Sequence, residues 1–373
     1  MLLHQLLSAI SYSRTGTATR YTIPVEKRKA HHNPIAQLPP HEVERIAAGE
    51  VVERPVNVVK ELIENALDAG ATAITVELED GGKQLIRVED DGWGIPAAEL
   101  HLALLPHHTS KIASLDDIYR LESLGFRGEA LSSIGAVSKL TLESRHQSED
   151  IGARIEASGG EILPAQPFNM SRGTVVTARE LFYNTPVRQK FLRSRQSETG
   201  MVAKLLASYA LAFPEVRWLL TSSGRTVLEA TGDGDIQGVL TDLAGKDLAG
   251  ALVRVDYEFP PLGLSGLISA PHVHRHNRSR QWYFVNRRPV SNRVLFRAVD
   301  DALREFVSPG KFPACALFLD LPPEEIDVNI HPMKTEVNFA QPQAVYSLIT
   351  TGVRRALGQA ASQKQQRLRG GLA

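Results

Sequence analysis

The sequence predicts an α/β (α+β) protein with two domains, the larger at residues 35–231 and the smaller, with a mixed sheet, at 232–360. A helical pattern at 58–70 is followed by segments in which apolar and polar residues alternate, as they do in half-buried strands. A turn-rich stretch at 229–235, EATGDGD, separates this series from a second series of strands and helices. A chain of 373 residues also has the length of about two or three domains.

The helix predicted at 58–70, VVKELIENALDAG, has an apolar and a polar face. At 3.6 residues per turn the apolar face gathers Val58, Val59, Leu62, Ile63, Ala66 and Leu67. Glu61 and Asn65 are four residues apart and lie one above the other on the polar side, while Pro55 and Gly70 suit the two ends. A solvated face is the ordinary explanation of such a stripe. Beside a nucleotide, however, a carboxylate and a carboxamide one turn apart would hold a water molecule and a hard cation.

The other elements are predicted in chain order. Alternation on both sides of Asp80-Gly81-Gly82 predicts a β-hairpin that ends at Asp90. The rest of the first domain predicts helices at 96–105, after Ser114, after the turn of GFRGEALSSIGAV, at 186–192 and at 198–212, and strands at KLTLESR, GARIEASGGEI and GTVVTARELF. The second domain predicts strands near ALVRVDYEF, GLISAP, QWYFVN and ACALFLDL, and helices at 292–306 and 343–357.

Composition excludes several kinds of protein. Lys plus Arg and Asp plus Glu both number 42, so the total charge indicates no partner and anion binding must come from local clusters. Cys315 is the only cysteine, which excludes an internal disulfide and a cysteine-based metal site and fits a reducing cytosol. No apolar run approaches the roughly 18 residues that span a bilayer, so we expect a soluble chain with no membrane partner.

The two ends of the chain differ from the domains in composition. Residues 1–34 begin with a short apolar run that no basic residue precedes, which argues against a secretory signal. An organelle-targeting segment stays open because no acid occurs before Glu26, but a disordered extension matches better. Residues 361–373 have the Gln, Ser and Gly content that predicts the start of a linker or tail.

DDGWGI, which contains Asp90, Gly92 and Gly94, follows the end of a predicted strand. Its G-x-G-x-x-A spacing superficially matches a dinucleotide fingerprint. We discount that match because such a strand opens its domain and an acidic partner follows about twenty residues later. A plain glycine turn remains an alternative. The more specific prediction is that the glycines let the backbone approach a flat base while the Asp90 carboxylate accepts a hydrogen bond from an exocyclic amine.

Two further stretches have the features of a phosphate site. GFRGEAL, at 125–131, places glycines and backbone N–H groups at a helix start, where the positive end of the helix dipole attracts anions. TSK, at 109–111, adds two hydroxyls and a cation. Ordinary turn chemistry is the simpler explanation for each stretch alone. A P-loop is excluded because the chain has no G-x-x-x-x-G-K-[ST].

Together and in this order, the motifs are specific. KELIENALDAGAT, DDGWGI, HHTSKI, SLGFRGEAL, RGTVV and FYNTPVRQKFL resemble the amino-terminal ATPase of MutL-type DNA mismatch repair proteins. The resemblance extends through YFVNRRPV to DVNIHPMKTEV, and IAAGEVVERP and GFRGEAL separate this family from gyrase B subunits, histidine kinases and ATP-dependent chaperones. It implies a two-layer sandwich ATP-binding domain of the gyrase B and histidine kinase type at 35–231, followed by a transducer-like domain that contacts DNA.

The resemblance also implies roles for individual residues, with ATP and Mg²⁺ as cofactors. Glu61 is similar to the general base that orients the attacking water, Asn65 to the Mg²⁺ ligand, and Lys334 to a lysine that reaches the γ-phosphate from the second domain. The residues similar to those around the adenine are Asp90, which binds its amino group, Gly92, Gly94 and Thr174. The residues similar to those of the phosphate loop and lid are Thr109, Ser110, Lys111, Gly125, Phe126, Arg127, Gly128 and Glu129.

The activity implied by the resemblance is slow ATP hydrolysis that brings two amino-terminal domains together in a homodimer and closes a clamp on DNA. The implied partners are DNA, a MutS-type mismatch recognition protein, and a downstream nuclease and helicase, in the bacterial cytosol at the nucleoid. No nuclease motif occurs in this chain. Pro106 and His108 depart from the family pattern Arg-His-Ala-Thr-Ser-Lys. The alternatives are a scaffold that binds ATP without hydrolysis, and a topoisomerase or chaperone subunit.

A basic stretch in the second domain predicts contact with DNA. From Phe259 to Val299 no residue is acidic. The arginines of this stretch that gather around Trp282, Tyr283 and Phe284 are Arg275, Arg278, Arg280, Arg287, Arg288, Arg293 and Arg297. A core strand flanked by solvated arginines is the alternative. Since no base-reading motif is present, we expect sequence-independent phosphate contacts through Arg287, Arg288 and Arg293.

Overall fold

The computed structural model describes residues 37, 39–111, 124–125, 128–327 and 337–370. Within them the helices are α1 (Pro40–Val51), α2 (Pro55–Asp68), α3 (Leu100–Ala103), α4 (Ala130–Val137), α5 (Pro186–Phe191), α6 (Arg195–Ala212), α7 (Ile236–Ala244), α8 (Arg293–Leu303) and α9 (Pro342–Gly370). The strands of the first sheet are β1 (Ala73–Glu79), β2 (Leu85–Asp90), β3 (Lys139–Arg145), β4 (Gly152–Ser158), β5 (Glu161–Ile162), β6 (Gln166–Phe168), β7 (Gly173–Arg179), β8 (Arg217–Ser222) and β9 (Arg225–Ala230).

The remaining strands form two further groups. The second sheet contains β10 (Leu252–Phe259), β11 (Leu262–Ser269), β12 (Gln281–Val285), β13 (Arg288–Val290) and β14 (Cys315–Asp320). A separate antiparallel pair consists of β15 (Ile326–Asp327) and β16 (Asn338–Phe339). No helix in the described ranges has the length and apolar character that crossing a membrane requires.

The first sheet has the order β5-β4-β3-β7-β2-β1-β8-β9, and β6 pairs with β4. Its pairings are antiparallel except for that of β1 with β8. Along β1, Ile74 and Val76 are buried whereas the intervening Thr75 is partly exposed, as expected for a sheet with one covered face. Residues of α2, α4 and α6 join these strand residues in one apolar cluster, so helices cover that face. The predicted α/β architecture is confirmed.

The second sheet has the order β10-β11-β14-β12-β13 and is mixed, because β12 and β14 are parallel and the other pairs antiparallel. Helices α8 and α9 pack against each other and contribute to a second apolar cluster with its strands. Neighbouring residues of β12 belong to different clusters. Trp282 and Phe284 join the cluster of the first sheet, whereas Tyr283 and Val285 join that of α8 and α9. One strand therefore forms part of two cores.

Some elements match the sequence prediction and others differ from it. The hairpin turn at 80–82 and the helix before it are confirmed. Helix α1, helix α7 and the β8–β9 hairpin were not predicted. The α1 segment has a weak apolar pattern, because Ala48 is buried while Ile46 is 55% exposed. Helix α9 continues past the predicted end at 357, through 361–370, where composition favours a linker.

Candidate nucleotide-binding site

Helix α2 presents the polar side chains predicted to form the site. Pro55 occupies its first turn, and the Asn57 side chain accepts a hydrogen bond from the Arg54 backbone N–H at 2.9 Å, which fixes the start of the helix. Gly70 follows the helix with a φ of 67°. The predicted apolar face packs into the core, with Leu67 the one member that is only partly buried, and Glu61 and Asn65 line a cleft.

The cleft has a volume of about 810 Å³ and is formed by α2, the end of β2, the loop after α3 and the start of α4. The predicted site residues that line it are Glu61, Asn65, Asp90, Gly94, Thr109, Ser110, Lys111, Gly125, Gly128, Glu129 and Thr174. Gly92 lies beside it, next to Asp90. These predicted residues come from five separate stretches of the sequence, which meet at one cavity large enough for a nucleotide.

Lys111 joins the loop after α3 to helix α2. Its Nζ lies 2.7 Å from Asn65 Oδ1 and 2.6 Å from Asp68 Oδ2. The Asp68 carboxylate also accepts hydrogen bonds from the backbone N–H groups of Leu124, at 2.8 Å, and Gly125, at 3.1 Å. Asp68 had no predicted role, although its position three residues after Asn65 on the same helical stripe was a usable signal.

The adjacent Asp90 and Asp91 differ in environment. Asp91 Oδ1 accepts a hydrogen bond from the Thr72 backbone N–H at 2.7 Å and so anchors the start of β1. Asp90 lines the cleft, and its Oδ1 accepts from the Gly92 N–H at 2.9 Å. Burial raises the pKa of Asp90 to about 6, even though hydrogen bonds from the backbones of Gly92 and Thr174 act in the opposite direction. Of the two carboxylates, Asp90 is the one available to a ligand in the cleft.

The glycines of this turn are required by contacts within the protein. A Cβ at Gly92 would lie 2.7 Å from the Ala69 carbonyl oxygen. At Gly94 it would lie 2.2 Å from the Arg145 carbonyl oxygen, and φ there is 74°, which disfavours side chains. The expectation that these glycines make room for a base therefore stays a prediction, while their packing role is visible.

The loop that departs from the family pattern has its own contacts. His108 Nδ1 lies 2.9 Å from the Pro106 carbonyl oxygen, and His107 Nδ1 lies 3.1 Å from Glu129 Oε1. His107 has a φ of 64°. These contacts link the loop to the start of α4 while Thr109 and Ser110 stay on the cleft. The predicted site residues Phe126, Arg127 and Lys334, and the helix predicted after Ser114, lie outside the described residues.

The oxygen atoms at the end of α2 suit a magnesium ion that shares its coordination with phosphates. Asn65 Oδ1 and Asp68 Oδ2 both accept hydrogen bonds from the ammonium group of Lys111, so both already contact a positively charged group. Mg²⁺ accepts one or two such oxygen ligands and completes its shell with water and phosphate oxygens. The described part of the chain contains no group of three or more His, Cys, Asp or Glu side chains that would hold a metal by itself.

Most arginines of the basic stretch have acidic partners elsewhere in the chain. The ion pairs are Arg275 with Asp247, Arg278 with Asp300, Arg287 with Glu215 and Arg297 with Asp301. The aromatic residues of β12 are buried. Arg287 also donates to the Ala212 carbonyl and lies over the Phe213 ring at 4.4 Å. Arg288 is half-buried, and Arg293 is exposed at the start of α8. Contact of these three with DNA stays a prediction.

Two protein-family models match the chain. Residues 52–158 match the histidine kinase-, DNA gyrase B- and HSP90-like ATPase family, a range that contains much of the cleft. Residues 240–358 match the DNA mismatch repair protein, C-terminal domain family, a range that contains the second sheet.

Individual proteins match over more of the chain. It is 43% identical over 319 residues to the DNA mismatch repair protein MutL of Halothermothrix orenii, covering 86% of this chain and 50% of that protein. The MutL of Xylella fastidiosa is 45% identical over 327 residues, with 87% and 53% covered. The chain thus spans about half the length of these curated relatives.

Solved structures agree with this match. The Aquifex aeolicus MutL ATPase domain complexed with ADP has a TM-score of 0.56 and 31% identity, covering 80% of this chain and 98% of that one. The N-terminal domain of a DNA repair protein has a TM-score of 0.73 and 26% identity, with 85% and 98% covered.

Proposed function

Because the chain belongs to the MutL family of DNA mismatch repair proteins, we propose that it binds ATP with Mg²⁺ in the cleft beside α2 and hydrolyses it slowly to ADP and phosphate. The observation that carries the proposal is the meeting of Glu61 and Asn65 with Asp90 and the 109–111 loop at one cavity. Asp90, the acceptor for a base amine, ends strand β2. The Glu61 carboxylate and the Asn65 amide are on α2, and Lys111 is in the loop after α3.

Each side chain has a definite task in this proposal. Asp90 accepts a hydrogen bond from the adenine amine, and Thr174, its register partner on β7, lies beside it. Asn65 holds Mg²⁺, which neutralises phosphate charge when bound. Lys111, the hydroxyls of Thr109 and Ser110, and the N–H groups of the turn at 125–129 bind phosphate oxygens.

The chemistry then needs little beyond positioning. Glu61 orients one water molecule in line with the γ-phosphate, since phosphoryl transfer is promoted by alignment and charge neutralisation. Lys334, from the second domain, adds a positive charge at the γ-phosphate. Phe126 and Arg127 complete the lid. The Lys111 ammonium group contacts Asn65 and Asp68, so it lies beside the oxygen atoms that would hold Mg²⁺.

The proposal extends to assembly and partners. ATP binding brings two amino-terminal domains together as a homodimer, and the clamp so formed holds DNA through phosphate contacts of Arg287, Arg288 and Arg293 in the second domain. Of these, Arg293 is exposed at the start of α8, whereas Arg287 already contacts α6. A MutS-type mismatch recognition protein acts upstream, and a nuclease and helicase act downstream. The names of the curated relatives support the repair role, and we place the protein in the bacterial cytosol, at the nucleoid.

Two single substitutions test the assignment of roles. Glu61→Ala should retain ATP binding but reduce phosphate release by a factor on the order of 10² to 10⁴, because it removes the partner of the water and no phosphate contact. Asn65→Ala should weaken both binding and hydrolysis. ATP affinity and steady-state phosphate release are measured on the same preparations, with and without mismatch-containing DNA.

The outcomes distinguish the alternatives. A parent chain that binds ATP and releases no phosphate would be a scaffold, and hydrolysis indifferent to DNA would favour a chaperone-like ATPase. Equal losses of nucleotide affinity in the two variants would contradict the separate roles of Glu61 and Asn65.

A further inference from the structure

Three buried polar side chains lie behind the cleft and connect α2 to α6. Lys60, Glu64 and Tyr209 are 4%, 5% and 2% exposed. Lys60 Nζ lies 2.8 Å from Glu64 Oε2, and the Tyr209 hydroxyl donates to Glu64 Oε1 at 2.5 Å. Both oxygen atoms of Glu64 are therefore engaged.

The same lysine also contacts a residue that lines the cleft. Lys60 Nζ lies 3.5 Å from Glu61 Oε1, and the Glu61 side chain is partly exposed on the cleft side. In the part of the chain that the structure describes, Lys60 is the one ion-pair partner of Glu61. The lysine is thus shared between a buried carboxylate and the carboxylate that faces the cleft.

Such a network is not the most stable way to fill this space. Burying a charged pair costs desolvation free energy that an apolar replacement of similar size avoids. Leaving any one member without its partner costs more still. A need to hold the Lys60 ammonium group at a fixed position beside the Glu61 carboxylate would explain why these charges are present.

On the premise that the chain hydrolyses ATP as proposed above, we propose that Lys60 is a positioning residue for Glu61, and that Tyr209 controls it through Glu64. Lys60 restrains the Glu61 carboxylate on the side away from the nucleotide. The Tyr209 hydrogen bond satisfies one oxygen of Glu64 and so limits how strongly Glu64 draws Lys60 away. Burial, and then the charge of Glu64, raise the pKa of Tyr209 well above 10, so its hydroxyl stays a donor at any working pH.

Tyr209→Phe removes one hydroxyl and keeps the ring that packs beside Phe213 and Trp218. Without that donor, the Glu64 carboxylate attracts the Lys60 ammonium group more strongly, and Glu61 loses the ion pair that restrains it. In the full chain we expect kcat to fall about tenfold while the Kd for ATP stays within about twofold, since positioning of a general base affects the chemical step and not binding. A merely structural role would not separate the two constants in this way.

Tyr346→Phe is the matched control. The Tyr346 hydroxyl donates to Asp301 Oδ2 at 2.6 Å, which is the same kind of bond in the second domain. It should change neither kcat nor the Kd for ATP.

The double variant Lys60→Met with Glu64→Gln keeps the test available if Tyr209→Phe does not fold. It removes both charges of the buried pair and leaves neither alone. It should also lower kcat with the Kd for ATP retained, and adding Tyr209→Phe should lower kcat no further, because the hydroxyl acts only through the pair.

Each result has a definite meaning. A parent that releases no phosphate overturns the proposed ATPase function and this role together. A parent that hydrolyses ATP, with Tyr209→Phe or the double variant turning over at the parental rate, overturns the positioning role alone. Additive losses in the combined variant overturn the route through Glu64.

Discussion

Asp90 is the residue whose environment most directly predicts a pH dependence. Its carboxyl has a pKa of about 6 because it is buried, and we propose that the ionised form accepts the adenine amine. Lowering the pH through 6 protonates it, so affinity should fall on the acidic side. At pH 5 about one tenth of the molecules would be ionised, which predicts an affinity about tenfold below that at pH 8. Binding titrations at several pH values measure this.

Asp90→Asn provides the reference for that titration, because ATP also changes its own charge near this pH. The variant should bind more weakly and lack the part of the pH dependence that belongs to the carboxyl. Parallel curves for parent and variant between pH 5 and 8 would show that Asp90 does not control binding.

The place of a single residue on the cleft was predictable where a motif fixed it, whereas a side-chain contact was not predictable where the partner is distant in sequence. The DDGWGI motif singled out Asp90, and the structure separates it from Asp91 through contacts to Thr72. Glu64 lies in the polar stripe of α2, yet it is buried against Tyr209 on α6. No helical periodicity reveals a partner 145 residues away.

At the scale of elements, the end of α2 is held to its surroundings by the Asp68 carboxylate. Asp68→Asn keeps a hydrogen-bond acceptor but loses the charge that pairs with Lys111. We expect the free energy of unfolding to fall by about 1 to 2 kcal/mol, the value of a partly buried charged hydrogen bond. Urea unfolding measures it.

Asp256→Asn is the comparison for Asp68→Asn. Asp256 pairs with Arg254 at 3.8 Å, and both side chains are well exposed. Screened surface pairs of this kind contribute little, so its unfolding midpoint should match that of the parent. An equal midpoint for Asp68→Asn would mean that the link between α2, the loop and the turn does not stabilise the fold.

Elements were predictable where local signals were strong. The hairpin before Asp90 has alternation and a glycine turn, and α2 has marked ends, so both followed from sequence. The parallel pairing of β1 with β8 did not, because strands distant in sequence carry no local record of their pairing. The length of α9 was missed because Gln and Ser are frequent in linkers but acceptable in an exposed helix.

For the whole molecule, Arg293 is the best test of DNA contact. It is exposed at the first position of α8, where a negative charge suits the helix dipole, so Arg293→Glu should preserve the fold. We expect weaker DNA binding in the presence of a non-hydrolysable ATP analogue. If one phosphate contact is lost, the slope of log affinity against log salt should fall by about one unit.

Arg195→Glu makes the same exchange at the first position of α6, outside the basic stretch. It should leave DNA binding and its salt dependence unchanged, and ATP affinity should persist in both variants. Identical salt titrations for Arg293→Glu and the parent would remove Arg293 from the DNA surface.

The distribution of charge over the molecule was only partly predictable. The absence of acids from Phe259 to Val299 suggested a continuous basic surface. In the fold, Asp247, Asp300 and Glu215 come from outside this range and neutralise several of its arginines. A net charge counted along the chain therefore overstates the positive potential that a DNA phosphate would meet.

Strand β12 has a thermodynamic consequence. Phe284 contributes to one core and Tyr283 to the other. Heating therefore cannot unfold one sheet without removing a part of the other sheet's core. Calorimetry should therefore record one heat-absorption peak, with van't Hoff and calorimetric enthalpies in agreement, although the chain is long enough for two separate transitions. Phe284→Ala should move that single peak to lower temperature without splitting it. Two peaks in the parent would show that the cores unfold independently despite the strand that they share.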